Sequence, residues 1–355
     1  ENSSQPVFSP DGRQIVFVRQ ADGKPQLFLL SLDGGEAAQL TKYKYGAGNP
    51  HWSPDGKQLL FSASIPLKDL LTDSLLNPGK EIPKWPSEKP GIGKNQQFKS
   101  SSAKADPDGN MEEIRAYLNN NANDRKAKVI YKLNFLDEQD VNAEMNINHF
   151  FIMEARQDAK PAAISKGFFR YSFADFTPDG KQLILAADID STEHPDRSLE
   201  GEIYIINTDG SNLRKLLGEP GKNFNSPRIS PSGKWLAFQY GNTSFVSIPT
   251  LAVMPLNGSS KDKTDIVLDR SKGNITWSDD ERYIYFTAQS NGGQPLYRAE
   301  VNTKKVEQLT ENNSGISNFG LSGNKLLFVK TEVASPFELY IADASAKNPA
   351  RISSF

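Results

Sequence analysis

The residues in this sequence that could do chemistry are few, and the clearest candidates are two adjacent glutamates. An adjacent pair such as Glu112 and Glu113 can bind the amino terminus of a peptide. The same two residues also fit the first turn of a helix, where the helix dipole favours carboxylates. Both interpretations stay open from the sequence, and helix capping is the commoner arrangement.

The three histidines form no recognisable catalytic or metal-binding pattern. His51 precedes a tryptophan of the repeat described below, and His149 begins an apolar run, so we expect both to be structural. His194 lies in a polar loop. The sequence has no Gly-x-Ser-x-Gly motif to present a hydrolase serine, no His-Glu-x-x-His and no phosphate or dinucleotide fingerprint. It therefore predicts no catalytic residue and no cofactor in this chain.

Two acidic stretches could hold a cation, but both match known sites poorly. Residues 106–110 lack the glycine that a calcium loop needs at its sixth position, and Tyr117 stands where the bidentate glutamate belongs. The other stretch is expected at a solvated hairpin tip and contains Asp188, Asp190 and Glu193. The absence of cysteine excludes disulfides, a thiolate nucleophile and cysteine-ligated metals. We predict no metal site.

Charge and composition exclude further classes of function. The 355 residues include 41 Lys and Arg against 43 Asp and Glu, a net charge of −2, so a basic nucleic-acid-binding surface is not expected. No apolar run reaches the roughly 18 residues of a membrane helix. The sequence begins at Glu1 rather than Met, which we interpret as the mark of a processed or cut product.

The strands and turns that position these residues are predicted from a short sequence motif that occurs six times. An apolar or aromatic anchor is followed by Ser-Pro-Asp-Gly or a relaxed copy of it, which is a type I turn, and then by an alternating apolar run of strand length. The anchors are Phe8, Trp52, Phe176, Ile229, Trp277 and Phe319. Their spacings of 44, 124, 53, 48 and 42 residues match the four-stranded blade of a β-propeller, apart from one long gap.

The sequence therefore predicts one all-β domain over residues 1–355, a propeller with six recognisable four-stranded blades. The blades are expected at about 6–41, 50–65 plus 128–165, 173–217, 226–268, 274–310 and 316–353. The first and last repeats each complete their own blade. The ring should therefore close by packing rather than by a shared blade, and the two termini should meet on the rim.

Residues 66–127 interrupt the second blade as an insertion. Its first half is rich in proline, lysine and serine from Ile82 to Lys104, and we favour a solvated loop there; the alternative is a flap or a partner-binding surface. Its second half predicts a helix that begins after Asp108 or Asn110 and lies on the propeller surface. The apolar face of that helix would contain Met111, Ile114, Tyr117 and Leu118.

The repeats resemble those of a known family. Residues 8–17, 26–29 and 33–41 are similar to the propeller of prolyl oligopeptidase-family serine peptidases, most closely to the acylaminoacyl-peptidase and bacterial dipeptidyl-peptidase branch. Residues 128–135 and 149–152 resemble the strand pair that follows an insertion in that branch. Propellers of the TolB type carry similar repeats.

The resemblance implies a role that this chain would perform without catalysis. In the family, the propeller precedes an α/β-hydrolase domain with a Ser-Asp-His triad and restricts entry to short peptides. No residue here matches that triad, so a hydrolase domain is expected downstream of Phe355, in a periplasmic or secreted peptidase whose propeller often has seven or more blades. In dipeptidyl members a Glu-Glu pair on an insertion holds the substrate amine, which points to Glu112 and Glu113.

A second interpretation is a stand-alone TolB-like propeller that binds proteins at the mouth of its funnel. Association into an oligomer of identical chains stays open.

Overall fold

The strands form six separate antiparallel sheets, each of four strands that are consecutive in the chain. The computed structural model describes residues 2–85, 103–120, 136, 144–189, 193–244 and 246–354, and the statements below concern those residues. Each sheet is one blade of a β-propeller. The predicted fold, with six four-stranded blades and no strand shared between the first and last, is confirmed.

The first three blades include the interrupted one. Blade 1 consists of β1 (Ser3–Phe8), β2 (Gln14–Ala21), β3 (Lys24–Ser31) and β4 (Ala38–Gln39). Blade 2 consists of β5 (Gly48–Trp52), β6 (Gln58–Pro66), β7 (Asn146–Glu154) and β8 (Ala162–Ala163). Blade 3 consists of β9 (Arg170–Phe176), β10 (Gln182–Asp188), β11 (Glu202–Asn207) and β12 (Arg214–Leu217).

The last three blades follow without a long interruption. Blade 4 consists of β13 (Lys222–Ile229), β14 (Trp235–Asn242), β15 (Thr250–Pro255) and β16 (Thr264–Ile266). Blade 5 consists of β17 (Lys272–Trp277), β18 (Tyr283–Ala288), β19 (Leu296–Glu300) and β20 (Val306–Gln308). Blade 6 consists of β21 (Ser314–Ser322), β22 (Lys325–Glu332), β23 (Ser335–Asp343) and β24 (Ala350–Arg351).

The insertion separates β6 from β7, and its described residues form two helices, α1 (Leu67–Leu70) and α2 (Met111–Asn120). A single 3₁₀ turn, Ser260–Asp262, precedes β16. The third strand of blade 2 begins at Asn146. The strand expected at 128–135 lies outside the described residues.

The repeated turn is stabilised by hydrogen bonds from its own side chains to each other and to its backbone. The Ser9 hydroxyl donates to Asp11 Oδ1 (2.5 Å), which also accepts the backbone N–H of Arg13 (3.1 Å). The hydroxyl hydrogen bond lowers the pKa of the Asp11 carboxyl. Gly12 follows with φ of +70°, a conformation that costs glycine little. Blades 2, 3 and 5 repeat the hydroxyl–carboxylate pair at Ser53–Asp55, Thr177–Asp179 and Ser278–Asp280.

The first strand of each blade is the innermost, because β1 lies against β5, β5 against β9 and β13 against β17. Two tryptophan anchors tie neighbouring blades together at this level. The indole N–H of Trp52 donates to the carbonyl of Val7 (3.1 Å), and that of Trp277 donates to the carbonyl of Arg228 (2.9 Å). The anchors therefore fix the angle between blades as well as ending a strand.

Strand alternation divides the propeller into two faces. Each repeated turn follows the first strand of its blade, so the turns lie on one side of the propeller, which we name the turn face. On this face the backbone N–H of Gly323 donates to Asp279 Oδ2 of the preceding blade (2.8 Å). The connections from second to third strands, and from one blade to the next, lie on the other side. That side carries the described beginning of the insertion, residues 67–85, so we name it the insertion face. Ser3 and Arg351 lie on it too.

Candidate functional site on the insertion face

The beginning of the insertion packs onto the propeller. Leu67, Leu70 and Leu76 are buried in the apolar cluster shared by blades 1 and 2. Burial of these three leucines removes apolar surface from water and so holds residues 67–76 against the blades. Residues 86–102 lie outside the described part of the chain.

Asp73 holds this segment in place. Its Oδ1 accepts the backbone N–H groups of Leu75 (2.9 Å) and Leu76 (3.0 Å). Its Oδ2 accepts from Lys44 Nζ (3.1 Å) and the Tyr45 hydroxyl (3.4 Å), both on the connection between blades 1 and 2. Burial favours the neutral acid, but the Leu76 amide and the Lys44 ammonium outweigh it, so the pKa of Asp73 lies below its usual value. The segment is thus fixed by a charged carboxylate.

An aromatic contact joins the insertion to blade 3. The ring of Trp85 lies 4.5 Å from that of His194 and 6.2 Å from that of Phe168, measured between centroids. His194 lies in a loop, as the sequence predicted, and is half-buried in contact with Trp85 rather than exposed. The insertion therefore reaches from blade 1 across blade 2 to blade 3 along the insertion face.

The helix predicted in the insertion is confirmed, and its cap is Asn110. Asn110 Oδ1 accepts the backbone N–H groups of Glu112 (2.9 Å) and Glu113 (3.2 Å), and Glu113 Oε2 accepts the N–H of Asn110 (2.8 Å). This reciprocal arrangement is a capping box. It engages the Glu113 carboxylate, whereas the Glu112 side chain is exposed. Met111, on the predicted apolar face, is exposed as well.

The two other histidines have different environments. His149 is fully buried, with Nδ1 3.1 Å from the Ser165 hydroxyl, and burial lowers its pKa to about 4, so the ring is neutral at physiological pH. It is structural, as predicted. His51 is half-exposed on the innermost strand β5, and its Nδ1 lies 3.3 Å from Asp175 Oδ1 of blade 3. His51 is thus one of a group of polar side chains on the innermost strands.

Arg228, on the innermost strand of blade 4, belongs to the same group. Its guanidinium carbon lies 4.4 Å from the centroid of Phe173, and burial lowers the pKa of the guanidinium, an effect that the nearby Asp175 carboxylate opposes. His51, Asp175 and Arg228 each directly precede a repeat anchor, so they occupy equivalent places on three consecutive innermost strands. Arg228 can donate hydrogen bonds to carbonyl or carboxylate groups, and Asp175 can accept them from N–H groups.

The sequence suggested that Asp188 lies at a hairpin tip, but the structure does not place it there. It is the last residue of β10, and its side chain is buried 3.6 Å from Arg170 Nη2. Its Oδ1 has no hydrogen-bond partner among the described residues. Asp190 lies outside the described residues, and Glu193 is exposed. Across the described ranges, no three His, Asp or Glu side chains come together as a metal site would require.

A groove of about 680 Å³ opens on the insertion face at blades 5 and 6. It lies between the connection 289–294 of blade 5 and the connection 331–333 of blade 6. Arg270 and Glu332 supply opposite charges at its edges. The other polar side chains that line it are Gln289, Ser290, Asn291, Gln294, Asn313 and Thr331. Amide and hydroxyl groups of this kind can hydrogen-bond a peptide backbone, and no feature of the sequence had singled them out.

Comparison with curated proteins finds peptidases and TolB. Dipeptidyl-peptidase 5 of Porphyromonas endodontalis is 24% identical over 369 residues, covering 94% of this chain and 51% of that protein. An uncharacterized peptidase of Bacillus subtilis, YuxL, is 42% identical over 66 residues, 18% of this chain and 10% of its own length. TolB of Alcanivorax borkumensis is 37% identical over 60 residues, 17% of this chain and 14% of that protein. No family model matches the sequence.

Comparison with solved structures also finds the propellers of peptidases. Pyrococcus horikoshii acylaminoacyl peptidase superposes on all of this chain with a TM-score of 0.62, at 15% identity and over 45% of its own length. The chain has the β-propeller fold of these peptidases. The β-propeller domain of the Trilobed protease from Pyrococcus furiosus superposes on 99% of it with a TM-score of 0.58, at 13% identity and over 84% of that domain.

The predicted resemblance to the propellers of prolyl oligopeptidase-family peptidases is confirmed. The chain spans about half the length, or less, of the curated peptidases that it matches.

Proposed function

We propose that this chain is the non-catalytic propeller domain of a serine exopeptidase of the acylaminoacyl- or dipeptidyl-peptidase type. It would admit short peptides to an α/β-hydrolase domain of the same polypeptide. The observation that carries the proposal is the match to Dipeptidyl-peptidase 5, which extends over 94% of the chain and so spans the insertion as well as the blades. The catalytic triad would belong to the hydrolase domain.

The position of the insertion supports a gating role. Residues 67–85 are anchored on the same face as Ser3 and Arg351, where a domain joined to either end of the propeller would sit. The 680 Å³ groove opens on that face as well, at blades 5 and 6. A peptide passing between the propeller and a second domain would meet both features. Gating of this kind needs a shaped gap rather than chemistry in the blades.

The gating role can be tested by measuring how hydrolysis by the full-length gene product depends on peptide length. We expect hydrolysis of a series of peptides, measured as kcat/KM, to fall steeply as chain length increases. Asp73→Ala, which frees the anchored segment, should raise kcat/KM for the longer peptides relative to a dipeptide. Asp69→Asn, one turn away in the same segment, is the matched control and should leave the ratio unchanged. Equal hydrolysis of short and long peptides by the wild-type enzyme would refute gating.

The acidic pair offers a finer proposal, that Glu112 binds the free amine of the substrate. Its carboxylate is exposed, whereas that of Glu113 is used in the helix cap. Glu112→Gln should then raise KM for substrates with a free amino terminus and leave KM for N-acylated substrates unchanged. Glu113→Gln can keep the cap because glutamine also fits this position of a capping box. An equal effect of Glu112→Gln on both substrate classes would contradict amine binding.

A TolB-like interaction scaffold is the second candidate, and the local identity with TolB of Alcanivorax borkumensis favours it. It requires a native product close to the 39.3 kDa of this chain, without a reactive serine.

A periplasmic or secreted location forms part of both proposals and is tested by fractionation of cells that make the native protein. No helix in the described ranges is long and apolar enough to span a membrane.

A further inference from the structure

The groove at blades 5 and 6 has walls that backbone hydrogen bonds hold in place. On one side Ser290 and Gly293 exchange two backbone hydrogen bonds of 3.0 Å, which close a two-residue hairpin turn. The turn residues Asn291 and Gly292 have φ of +50° and +84°, as a type I′ turn requires. On the other side the hairpin between β22 and β23 pairs Glu332 with Ser335. The shape of the groove is therefore set before any ligand binds.

Most of the polar side chains in the groove are not used by the protein itself. Four of them make no hydrogen bond to any described residue, namely those of Gln289, Ser290, Asn291 and Asn313. A side-chain carboxamide donates and accepts hydrogen bonds at the same time, as a peptide group does. The lining therefore suits a ligand whose middle part carries neutral amide groups.

The charges at the edges of the groove have opposite signs. Arg270 lies 3.7 Å from the carboxylate of its neighbour Asp269, and Glu332 lies 2.7 Å from the ammonium of Lys330 on the same hairpin. Both groups are exposed, and ion pairs of this kind are weak, so both charges can still act on a ligand. Opposite charges at two edges favour a ligand with an anionic end and a cationic end. The described residues that line the groove include no aromatic ring on which a nucleobase could stack.

We propose that this groove is a non-catalytic binding site for short peptides whose two ends are both free. Arg270 binds the terminal carboxylate, Glu332 binds the terminal ammonium, and the amide side chains between them contact the peptide backbone. The volume of about 680 Å³ is that of a small-ligand site. The inference goes beyond the proposed function, because the site would bind such peptides with or without a hydrolase domain.

Blocking either end of a peptide tests this recognition without any mutation. The full-length gene product is first treated with a fluorophosphonate, so that a reactive serine, if present, cannot consume the ligand. Calorimetric titration then compares triglycine with triglycine amide and N-acetyltriglycine. We expect each blocked peptide to bind at least about 5-fold more weakly, as the loss of one exposed charge pair requires. Equal affinity for the three peptides, or no binding of triglycine at about 10 mM, would overturn the proposal.

Charge-removing variants place the site in the groove. Arg270→Gln should weaken triglycine binding about 5-fold and leave triglycine amide unchanged, whereas Glu332→Gln should weaken triglycine equally and leave N-acetyltriglycine unchanged. Arg13→Gln removes an exposed arginine from the turn face and is the matched control, with no expected effect. Wild-type affinities in both groove variants would mean that the peptide binds elsewhere, and an equal loss in Arg13→Gln would mean that net charge alone matters. Either result would refute the site.

Discussion

Substitution of Asp73 tests how the insertion is anchored, because this one carboxylate joins the insertion to the connection between blades 1 and 2. Asp73→Ala removes the acceptor for the Leu75 and Leu76 amides and for Lys44 together. Hydrogen bonds to a charged group contribute about 1.5–3 kcal/mol each when their loss leaves a desolvated partner. The pair with Lys44 contributes at most about 1 kcal/mol, because that ammonium is mostly exposed.

Some of the freed amides will bind water, so we expect the free energy of opening the segment to fall by about 2 kcal/mol, or roughly 30-fold in the opening equilibrium. Hydrogen exchange followed by mass spectrometry measures this directly. Peptides from 67–85 should exchange about 30-fold faster in Asp73→Ala, while peptides from β18 should not change. Asp73→Asn keeps an oxygen for the amides and should show a smaller effect.

The pH dependence has a definite sign. The folded-state pKa of Asp73 is lowered, so its stabilisation is fully present above the ordinary carboxyl value of 3.8 and is lost as the pH falls through the folded value. The difference between the wild-type chain and Asp73→Ala should therefore shrink below pH 3.8. Unchanged exchange of 67–85 in Asp73→Ala at neutral pH would refute the anchoring role.

Three further predictions concern single contacts. Trp277→Phe removes the donor to the Arg228 carbonyl and should lower the free energy of unfolding by about 1–2 kcal/mol in urea titrations, with Trp235→Phe, a partly exposed tryptophan, as control. His149 has a folded-state pKa of about 4 against 6.5, so stability should fall as the pH drops from 6.5 to 4, by on the order of 3 kcal/mol, and His149→Asn should remove that slope. Asn110→Ala should destabilise α2 by about 1 kcal/mol, seen as faster hydrogen exchange in 111–117.

The sequence predicted the blades well because each blade is a local unit. The anchor, the turn with its hydroxyl–carboxylate pair and the following strand lie within about 15 residues, so spacing alone located five of the six blades within a few residues of their bounds. Blade 2 was harder, because its third strand begins at Asn146, after the long insertion. Nothing local distinguishes that strand from the residues before it.

The candidate site depends on contacts between blades, which the sequence does not display. His51 and Asp175 are 124 residues apart and meet only because blades 2 and 3 are neighbours in the ring. The packing of Leu67, Leu70 and Leu76 could not be predicted from the sequence because they follow the last residues of β6 without a repeat motif and contact residues of two blades. The helix cap at Asn110 was predictable, since capping is local.

The central claim is that this chain serves as the propeller of a serine peptidase, and one measurement tests it most directly. The full-length native product is labelled with a fluorophosphonate probe, and its intact mass and labelled peptide are determined by mass spectrometry. The account predicts a product well above 39.3 kDa with one labelled serine outside residues 1–355. A product of about 39.3 kDa without label would contradict the account and leave the interaction scaffold.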